Sequence, residues 1–389
     1  MIPRTLAPYA REMSKRYPVV TIMGPRQSGK TTLCTMVFDE KPYVNLEDPG
    51  TRSFAAEDPQ GFMNTYSHGA VLDEIQNAPQ LLSYIQVVVD KAGRNGLFVL
   101  TGSQQPGLSD SISQSLAGRT ALLRLLPFSL KELAHYGEFS TDTLLHRGFM
   151  PRIHQEQIPP DQAFGDYVET YVQRDVIAIA RLRDTNVFHR FLRLAAGRTA
   201  QPLNLSGLSG DVGVSETTIR EWVSILERCF VVFRLEPYYR NVRKRLVRTP
   251  KLYFHDVGLA AWLCGIETER QIGAHPLRGN LFENMVVCEL MKRRYNAGHR
   301  HNLHFYRDSS GKEVDVLYPA GGHRLPIEVK SAQTYNPSFL RGVAPYVSVA
   351  EAAPLKPLVL YDGPDGQNRT DVRIANFRSL DQVLEEYGV

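Results

Sequence analysis

The apolar positions of the chain follow three rhythms, and each predicts a different kind of element. Near the N-terminus they come as short, mostly apolar runs at 19–23, 69–72 and 97–100. Runs of that kind suit strands buried on both faces of a sheet, covered by helices from the intervening sequence. In the middle the spacing turns helical. Residues 160–195 are helix-rich by pattern, with Tyr167, Tyr171 and Val172 on one face, and are expected to form a helical lid on the N-terminal domain. Ile219, Trp222, Val223 and Leu226 then recur at i, i+3, i+4 and i+7. Ser215 is placed to cap that helix, with Val214 and Ile219 as a hydrophobic staple, and Gly213 can turn the chain out of a preceding short helix at 205–212. Two helices joined in this way outline a helix-turn-helix, to which strands at 230–235 and 252–254 would add a wing. Further on, apolar and polar residues alternate at 312–318 and 324–330, on either side of Gly321-Gly322. That dipeptide suits a two-residue hairpin turn. Residues 357–361 predict one more strand.

Composition sets the size and the surroundings. With 389 residues and 43% apolar content, the chain is too apolar for a disordered protein and long enough for two to four domains. The expected divisions are 1–160, 161–200, 201–265 and 266–389. The densest apolar run, Cys229 to Phe233, falls far short of a membrane span, and the first residues scatter charge where a secretory leader needs an apolar stretch. A soluble cytoplasmic protein is expected, with no membrane partner and with cysteines 34, 229, 264 and 288 as reduced core residues. The net charge of +4 is modest, yet 240–251 carries six cations and no acid. Such a run at the tip of the expected wing suits a polyanion, which makes Arg240, Arg243, Lys244, Arg245, Arg248 and Lys251 candidate DNA contacts. Glu216 and Glu221 place negative charge on the recognition helix, so backbone contact is expected over base readout. A solvated loop, or a wing that packs on protein, is the alternative.

The first candidate chemistry follows the first strand. Gly24-Pro25-Arg26-Gln27-Ser28-Gly29-Lys30-Thr31 fits G-x-x-x-x-G-K-[ST] at every fixed position, and Thr32 continues into a helix. Such a loop points backbone N–H groups at phosphate oxygens, so these nine residues are the expected ATP-binding loop. Lys30 would reach the β- and γ-phosphates, and the Thr31 hydroxyl would ligate Mg²⁺. The strand before Asp73-Glu74 ends in two acids that leave in different directions. Asp73 can hold Mg²⁺ through water, and Glu74 can polarise the water that attacks the γ-phosphate. The third strand ends at Thr101-Gly102-Ser103, where Thr101 or Ser103 is a candidate γ-phosphate sensor, a plain turn being the alternative.

The second lies in the C-terminal hairpin. With Gly321-Gly322 as the turn, Asp315 faces Glu328, Glu313 faces Lys330, and period two puts all four on one face. The other face carries Val314, Val316, Ile327 and Val329 as core. Two carboxylates about 5 Å apart repel unless a cation bridges them, so a hard divalent metal suits Asp315 and Glu328, while Lys330 can orient water. A salt-bridge ladder on a solvated face is the alternative.

The P-loop, the Asp-Glu strand and the polar-tipped strand resemble the AAA+ ATPases. GAVLDEIQNAP, LTGSQ, SLAGRTALLRLLPFSLKEL and YVETYVQRDV resemble a prokaryotic AAA-like family with a long C-terminal extension. That resemblance implies Arg119 or Arg174 as an arginine finger and, if the finger acts in trans, a homo-oligomer. The pattern Asp315-x(12)-Glu328-x-Lys330 resembles the PD-(D/E)xK nucleases. It implies phosphodiester cleavage with Mg²⁺, or Mn²⁺, by Asp315, Glu328 and Lys330, with Glu283 from the preceding helix completing the metal set. The expected fold is therefore α/β: a P-loop AAA+-like parallel-sheet domain, a helical winged-helix middle domain and a C-terminal α/β restriction-endonuclease-like domain. The expected function is ATP hydrolysis by a DNA-binding protein, coupled to Mg²⁺-dependent cleavage. The alternative is an ATP-switched regulatory or scaffold protein whose nuclease-like domain binds nucleic acid or a partner without cutting.

Overall fold

A computed structural model describes residues 2–103, 112, 114–176, 184–238, 249–347, 355–364 and 366–389. The N-terminal runs form a parallel five-stranded sheet. Its strands are β1 (Val19–Met23), β2 (Tyr43–Asn45), β3 (Ala70–Asp73), β4 (Phe98–Gly102) and β5 (Thr120–Arg124), in the order β2-β3-β4-β1-β5. Every residue of β1, β3 and β4 is buried, which is why these strands lack an alternating pattern. Because the strands run parallel, the loop after β1, the acids after β3 and the polar tip of β4 all emerge at one edge. Helices α1 (Ala7–Arg16), α2 (Lys30–Val37) and α3 (Leu81–Ala92) flank this sheet in the sequence.

The middle of the chain is mostly helical: α4 (Pro160–Tyr167), a π-helical segment Val168–Val176, α5 (Thr185–Ala196), α6 (Leu205–Val212) and α7 (Glu216–Arg228). Ser215 caps α7 by accepting from Thr218 N at 3.1 Å, and Gly213 turns the chain at φ 81°. Ile219, Trp222, Val223 and Leu226 are buried, and the Trp222 ring meets Phe188 and Phe191 of α5 at 5.2 Å each.

The second sheet does not stop at the boundary expected at residue 265. Its strands are β6 (Gln201–Pro202), β7 (Val232–Pro237), β8 (Lys251–Phe254), β9 (His304–Arg307), β10 (Glu313–Ala320), β11 (His323–Lys330), β12 (Leu358–Tyr361) and β13 (Arg373–Asn376). They lie in the order β13-β12-β11-β10-β9-β7-β8-β6. One edge of β7 pairs with β8; the other pairs in parallel with β9, Glu236 against His304 and Pro237 against Phe305. The two strands expected to form a free wing are thus interior to a sheet shared with the C-terminal part. Of the cations expected at its tip, Arg240, Arg243, Lys244, Arg245 and Arg248 lie outside the described residues.

The β10–β11 hairpin turns at Gly321 (φ 52°) and Gly322 (φ 87°), and a two-residue turn with both φ positive sets the register found, from Val316 opposite Ile327 to Ala320 opposite His323. Below Val316 the expected alternation fails. The pairing of β10 with β9 shifts by one residue between Val314 and Leu317, a bulge at Asp315-Val316. Val314 therefore packs with Leu317, Tyr306, Val343 and Tyr346, while Val316 joins the main core, so the two do not share a face as expected.

The long helix α8 (Arg278–Asn296) connects the two sheets. Toward its C-terminal end, Glu289 Oε1 accepts from Leu130 N at 2.8 Å and Lys292 Nζ donates to Phe128 O at 2.7 Å. The cysteines are free thiols; Cys34, Cys229 and Cys288 are buried and Cys264 is partly so. Among the described residues no helix is long and apolar enough to cross a membrane.

Candidate nucleotide site and C-terminal carboxylate site

Gly24 leaves β1 with its α-carbon against the Leu125 carbonyl, where a Cβ would collide, and Gly29 begins α2 in the left-handed region at φ 87°. The loop between them is closed on itself. Lys30 Nζ is buried and donates to the carbonyls of Gly24 (3.0 Å) and Pro25 (2.8 Å), and Ser28 Oγ donates to Pro25 O (2.9 Å). Gln27 takes a left-handed φ of 60°. The Arg26 guanidinium lies over the Tyr171 ring, 5.4 Å from its centroid. Thr32 enters α2, and its carbonyl accepts from Thr35 Oγ1 at 3.1 Å.

Thr31 and Asp73, 42 positions apart, meet through Thr31 Oγ1 donating to Asp73 Oδ2 at 2.8 Å. This places the two oxygen-bearing groups that would hold Mg²⁺ side by side. Tyr43 Oη donates to the same Asp73 oxygen at 2.6 Å, and Thr101 Oγ1 donates to the other. Glu74 sits at φ 58°, a left-handed position that a non-glycine residue rarely adopts, and its N–H donates to Thr101 Oγ1 at 3.0 Å. Glu74 Oε2 accepts from Ser103 Oγ at 3.2 Å and from Gln76 Nε2. The two candidate sensors thus divide their work: Thr101 fixes Asp73 and the Glu74 backbone, and Ser103 fixes the Glu74 carboxylate. Burial lowers the proton affinity of Lys30 against the pull of Glu74 and Asp73. Burial alone would raise the Glu74 carboxyl, but Lys30, Gln76 and Arg26 outweigh it and hold it below the usual range. Glu74 is therefore a carboxylate at neutral pH, the form that can polarise water.

Sequence reading missed Arg4, Tyr43 and Gln76. Arg4 Nη1 donates to Ser28 O at 2.6 Å, Nη2 donates to Leu126 O at 2.7 Å, and Nε pairs with Glu132 at 3.2 Å. It buttresses the loop from outside any motif, so no local pattern marks it.

The two candidate fingers fare differently. Arg119 precedes β5 at the sheet edge opposite the loop, while Arg124 at the far end of that strand pairs with Met23. The separation along the strand is about 17 Å at roughly 3.3 Å per residue. Arg119 donates in a bidentate pair to Asp90, at 2.6 and 2.8 Å. This position corrects any role for Arg119 at its own chain's nucleotide loop. Arg174 falls in the π-helical segment, and its side chain lies outside the described residues.

At the C-terminal site Asp315, Glu328 and Lys330 come together. Asp315 Oδ2 accepts from Val329 N (2.8 Å) and Lys330 Nζ (2.9 Å), and Lys330 Nζ also donates to Glu328 Oε2 (2.8 Å). Glu283 joins them from α8 with partners of its own. Its Oε1 accepts from Lys251 Nζ at 2.8 Å and from Tyr253 Oη at 2.6 Å. Lys251 also pairs with Glu313, whose other oxygen takes Arg307 Nη1 at 3.3 Å. Two expectations are corrected here. Glu313 lies with Lys251 instead of Lys330, because the bulge in β10 takes it out of the hairpin register. Lys251 is 2% exposed and cannot be a surface contact to DNA, because β8 is an interior strand. The spacing of Lys251 and Tyr253 at i, i+2 was a readable sign that they share a face, but nothing local named the helix that they meet.

One carboxylate oxygen from each of Glu283, Glu313 and Asp315 lies within 4.8 Å of the others, and Glu328 is not of that trio. Burial pushes the Glu283 carboxyl up to about 7 against the pull of Lys251. Burial and the neighbouring Asp315 push Glu328 well above the usual range, and its Oε1 is buried with no hydrogen-bond partner among the described residues. For Asp315 burial is outweighed by Lys330 and Lys251, so it stays below the usual range. The oxygens suit a hard divalent ion, but the Lys251 ammonium already engages two of the trio, and Lys330 holds the third. As placed, these residues do not fit a divalent ion beside the two lysines.

Comparison with known proteins divides the chain into three. Residues 138–270 match a domain of unknown function (DUF8612), and 278–380 match a second (DUF4143). A protein of Mycobacterium tuberculosis is 29% identical over 344 residues, 87% of this chain and 76% of its own length, and one of Mycobacterium bovis matches with the same figures. A Haemophilus influenzae protein is 23% identical over 242 residues, 58% of each chain. All three are uncharacterized. Among solved structures, the Walker-type ATPase of Pyrococcus abyssi is similar at 15% identity with a TM-score of 0.41, over 66% of this chain and 94% of that one. AMPPCP-bound DnaA of Aquifex aeolicus is similar at 15% identity and a TM-score of 0.32, over 57% and 86%. Residues 16–134 match the AAA domain family, and that stretch contains the P-loop, Asp73, Glu74, Thr101 and Ser103: the N-terminal part of the chain is an AAA-type, ATPase-like domain.

Proposed function

We propose that the protein is an ATP-hydrolysing switch that engages DNA, with a C-terminal site that is built like a nuclease but does not cut. The observation that carries the ATPase reading is the convergence of Lys30, Thr31, Asp73 and Glu74 at one sheet edge, with Thr31 hydrogen-bonded to Asp73. Lys30 and Thr31 would hold the phosphates and Mg²⁺, and Glu74 would polarise the attacking water. ATP hydrolysis in Mg²⁺ tests it. Glu74→Gln is expected to keep ATP binding and to lose roughly 10²-fold or more in kcat, the usual size of a general-base contribution. A Glu74→Gln enzyme as fast as wild type would refute it.

The five cations at 240–248, without an acid among them, support DNA as the partner through phosphate contact. Removing Arg243, Lys244 and Arg245 together is expected to cut the slope of log affinity against log salt by roughly 2 to 3. An unchanged slope would assign the run to another partner. A second reading, Mg²⁺- or Mn²⁺-dependent cleavage, is favoured by the grouping of Asp315, Glu328 and Lys330. Nicking of plasmid DNA by wild type that Asp315→Ala abolishes would establish it.

A further inference from the structure

The second sheet carries a lysine from the middle of the chain into the C-terminal carboxylates. Lys251 opens β8, its ammonium 2.8 Å from Glu283 Oε1 and ion-paired with Glu313, and 5.6 Å from the centre of the Phe305 ring. Tyr253, two residues on, donates to the same Glu283 oxygen at 2.6 Å, so both polar side chains of β8 serve one carboxylate. Glu283, Glu313 and Asp315 bring three oxygens within 4.8 Å. Three carboxylates so close, one buried and two partly buried, need a compensating positive charge. A divalent ion or an ammonium can supply it, and an ion set among the three oxygens would have to displace the Lys251 ammonium from Glu283 and Glu313.

We propose that Lys251 is the resident counter-cation of this site, standing where the nuclease resemblance would place a metal, so that the site assembles without one. The inference rests on the reading of the C-terminal site as one that does not cut, and it makes that reading specific. It also explains why a lysine is buried at 2% exposure within a run of otherwise polyanion-seeking residues.

The test is Mn²⁺ binding to the full-length, nucleotide-free protein, read by the EPR signal of free Mn²⁺. Wild type is expected to show no site that Glu283→Gln removes. Lys251→Met keeps the aliphatic stem and deletes the charge; it is expected to gain one Mn²⁺ with at least tenfold tighter affinity than wild type, lost again in Lys251→Met/Glu283→Gln. Melting follows the same order: Mn²⁺ and EDTA leave wild type unchanged, and Mn²⁺ raises the Tm of Lys251→Met. A wild-type site abolished by Glu283→Gln overturns the inference, as does a folded Lys251→Met that binds no Mn²⁺. Should Lys251→Met fold in neither buffer, the wild-type titration decides alone. Plasmid nicking on the same samples separates the two claims. Wild type that binds Mn²⁺ at this site without cutting overturns only the inference; a metal-dependent cut that Asp315→Ala abolishes overturns both.

Discussion

His255 shows what a single side chain contributes in this molecule. It is buried between the rings of Phe230 (5.6 Å) and Phe233 (4.9 Å), and its Nδ1 has no hydrogen-bond partner among the described residues. Burial, with the charges of Arg124, His301 and Lys292, lowers its pKa to about 3; burial lowers that of His154 to about 4. The unfolded chain takes up these protons below its ordinary histidine value near 6.5, and the folded chain refuses them. Their contribution to stability is therefore complete above pH 6.5 and is lost as the pH falls toward 4 and 3. His255→Phe is expected to reduce that dependence by about one proton, or about 1.4 kcal/mol per pH unit, in urea unfolding between pH 6.5 and 4. An unaltered slope would mean that the ring is protonated in the fold. At this scale the sequence was legible where chemistry and position sit in one motif, as for Lys30 and Thr31. It was not legible for Arg4, which reaches the loop only through tertiary packing, or for Lys251, whose neighbours disguise it as one more surface cation.

Elements were legible where a local rule fixes them. Burial on both faces gave away β1, β3 and β4, and two glycines with positive φ marked the β10–β11 turn. Strand β7 starts two residues later than its apolar run because Phe230, at φ 55°, turns the chain first. The bulge at Asp315-Val316 could not be read, since it depends on how β9 docks. Two glycines of unlike setting test this account. Gly322 has φ 87° and open space where a Cβ would go, so Gly322→Ala costs backbone strain alone, about 1–2 kcal/mol in urea unfolding. Gly210 also has open space but lies within α6, so Gly210→Ala is expected to stabilise by about 0.5–1 kcal/mol. Equal effects at the two positions would contradict the assigned backbone.

Across the whole molecule, the sequence suggested separable parts and the structure ties them together. Pattern is local, whereas β7 meets β9 across 68 positions, from Glu236 to His304, and α8 runs from Glu283 at the carboxylates to Lys292 at the N-terminal domain. From Phe128 and Leu130, contacts continue through Glu132 and Arg4 to the P-loop carbonyl of Ser28. The helix thus joins the surroundings of the P-loop to the carboxylate site through an unbroken series of packed contacts.

The join between β7 and β9 has a practical consequence for anyone who dissects the protein. A fragment of residues 266–389 would leave β9 without β7, just beyond which the Tyr238 N–H reaches Phe305 O at 2.7 Å, and so with a raw edge open to other chains. It would also strand Glu283 and Glu313 without their ammonium. Expressed alone, such a fragment is expected in the pellet, and one reaching back to residue 184 in the supernatant; the reverse partition would mean that the shared sheet is dispensable.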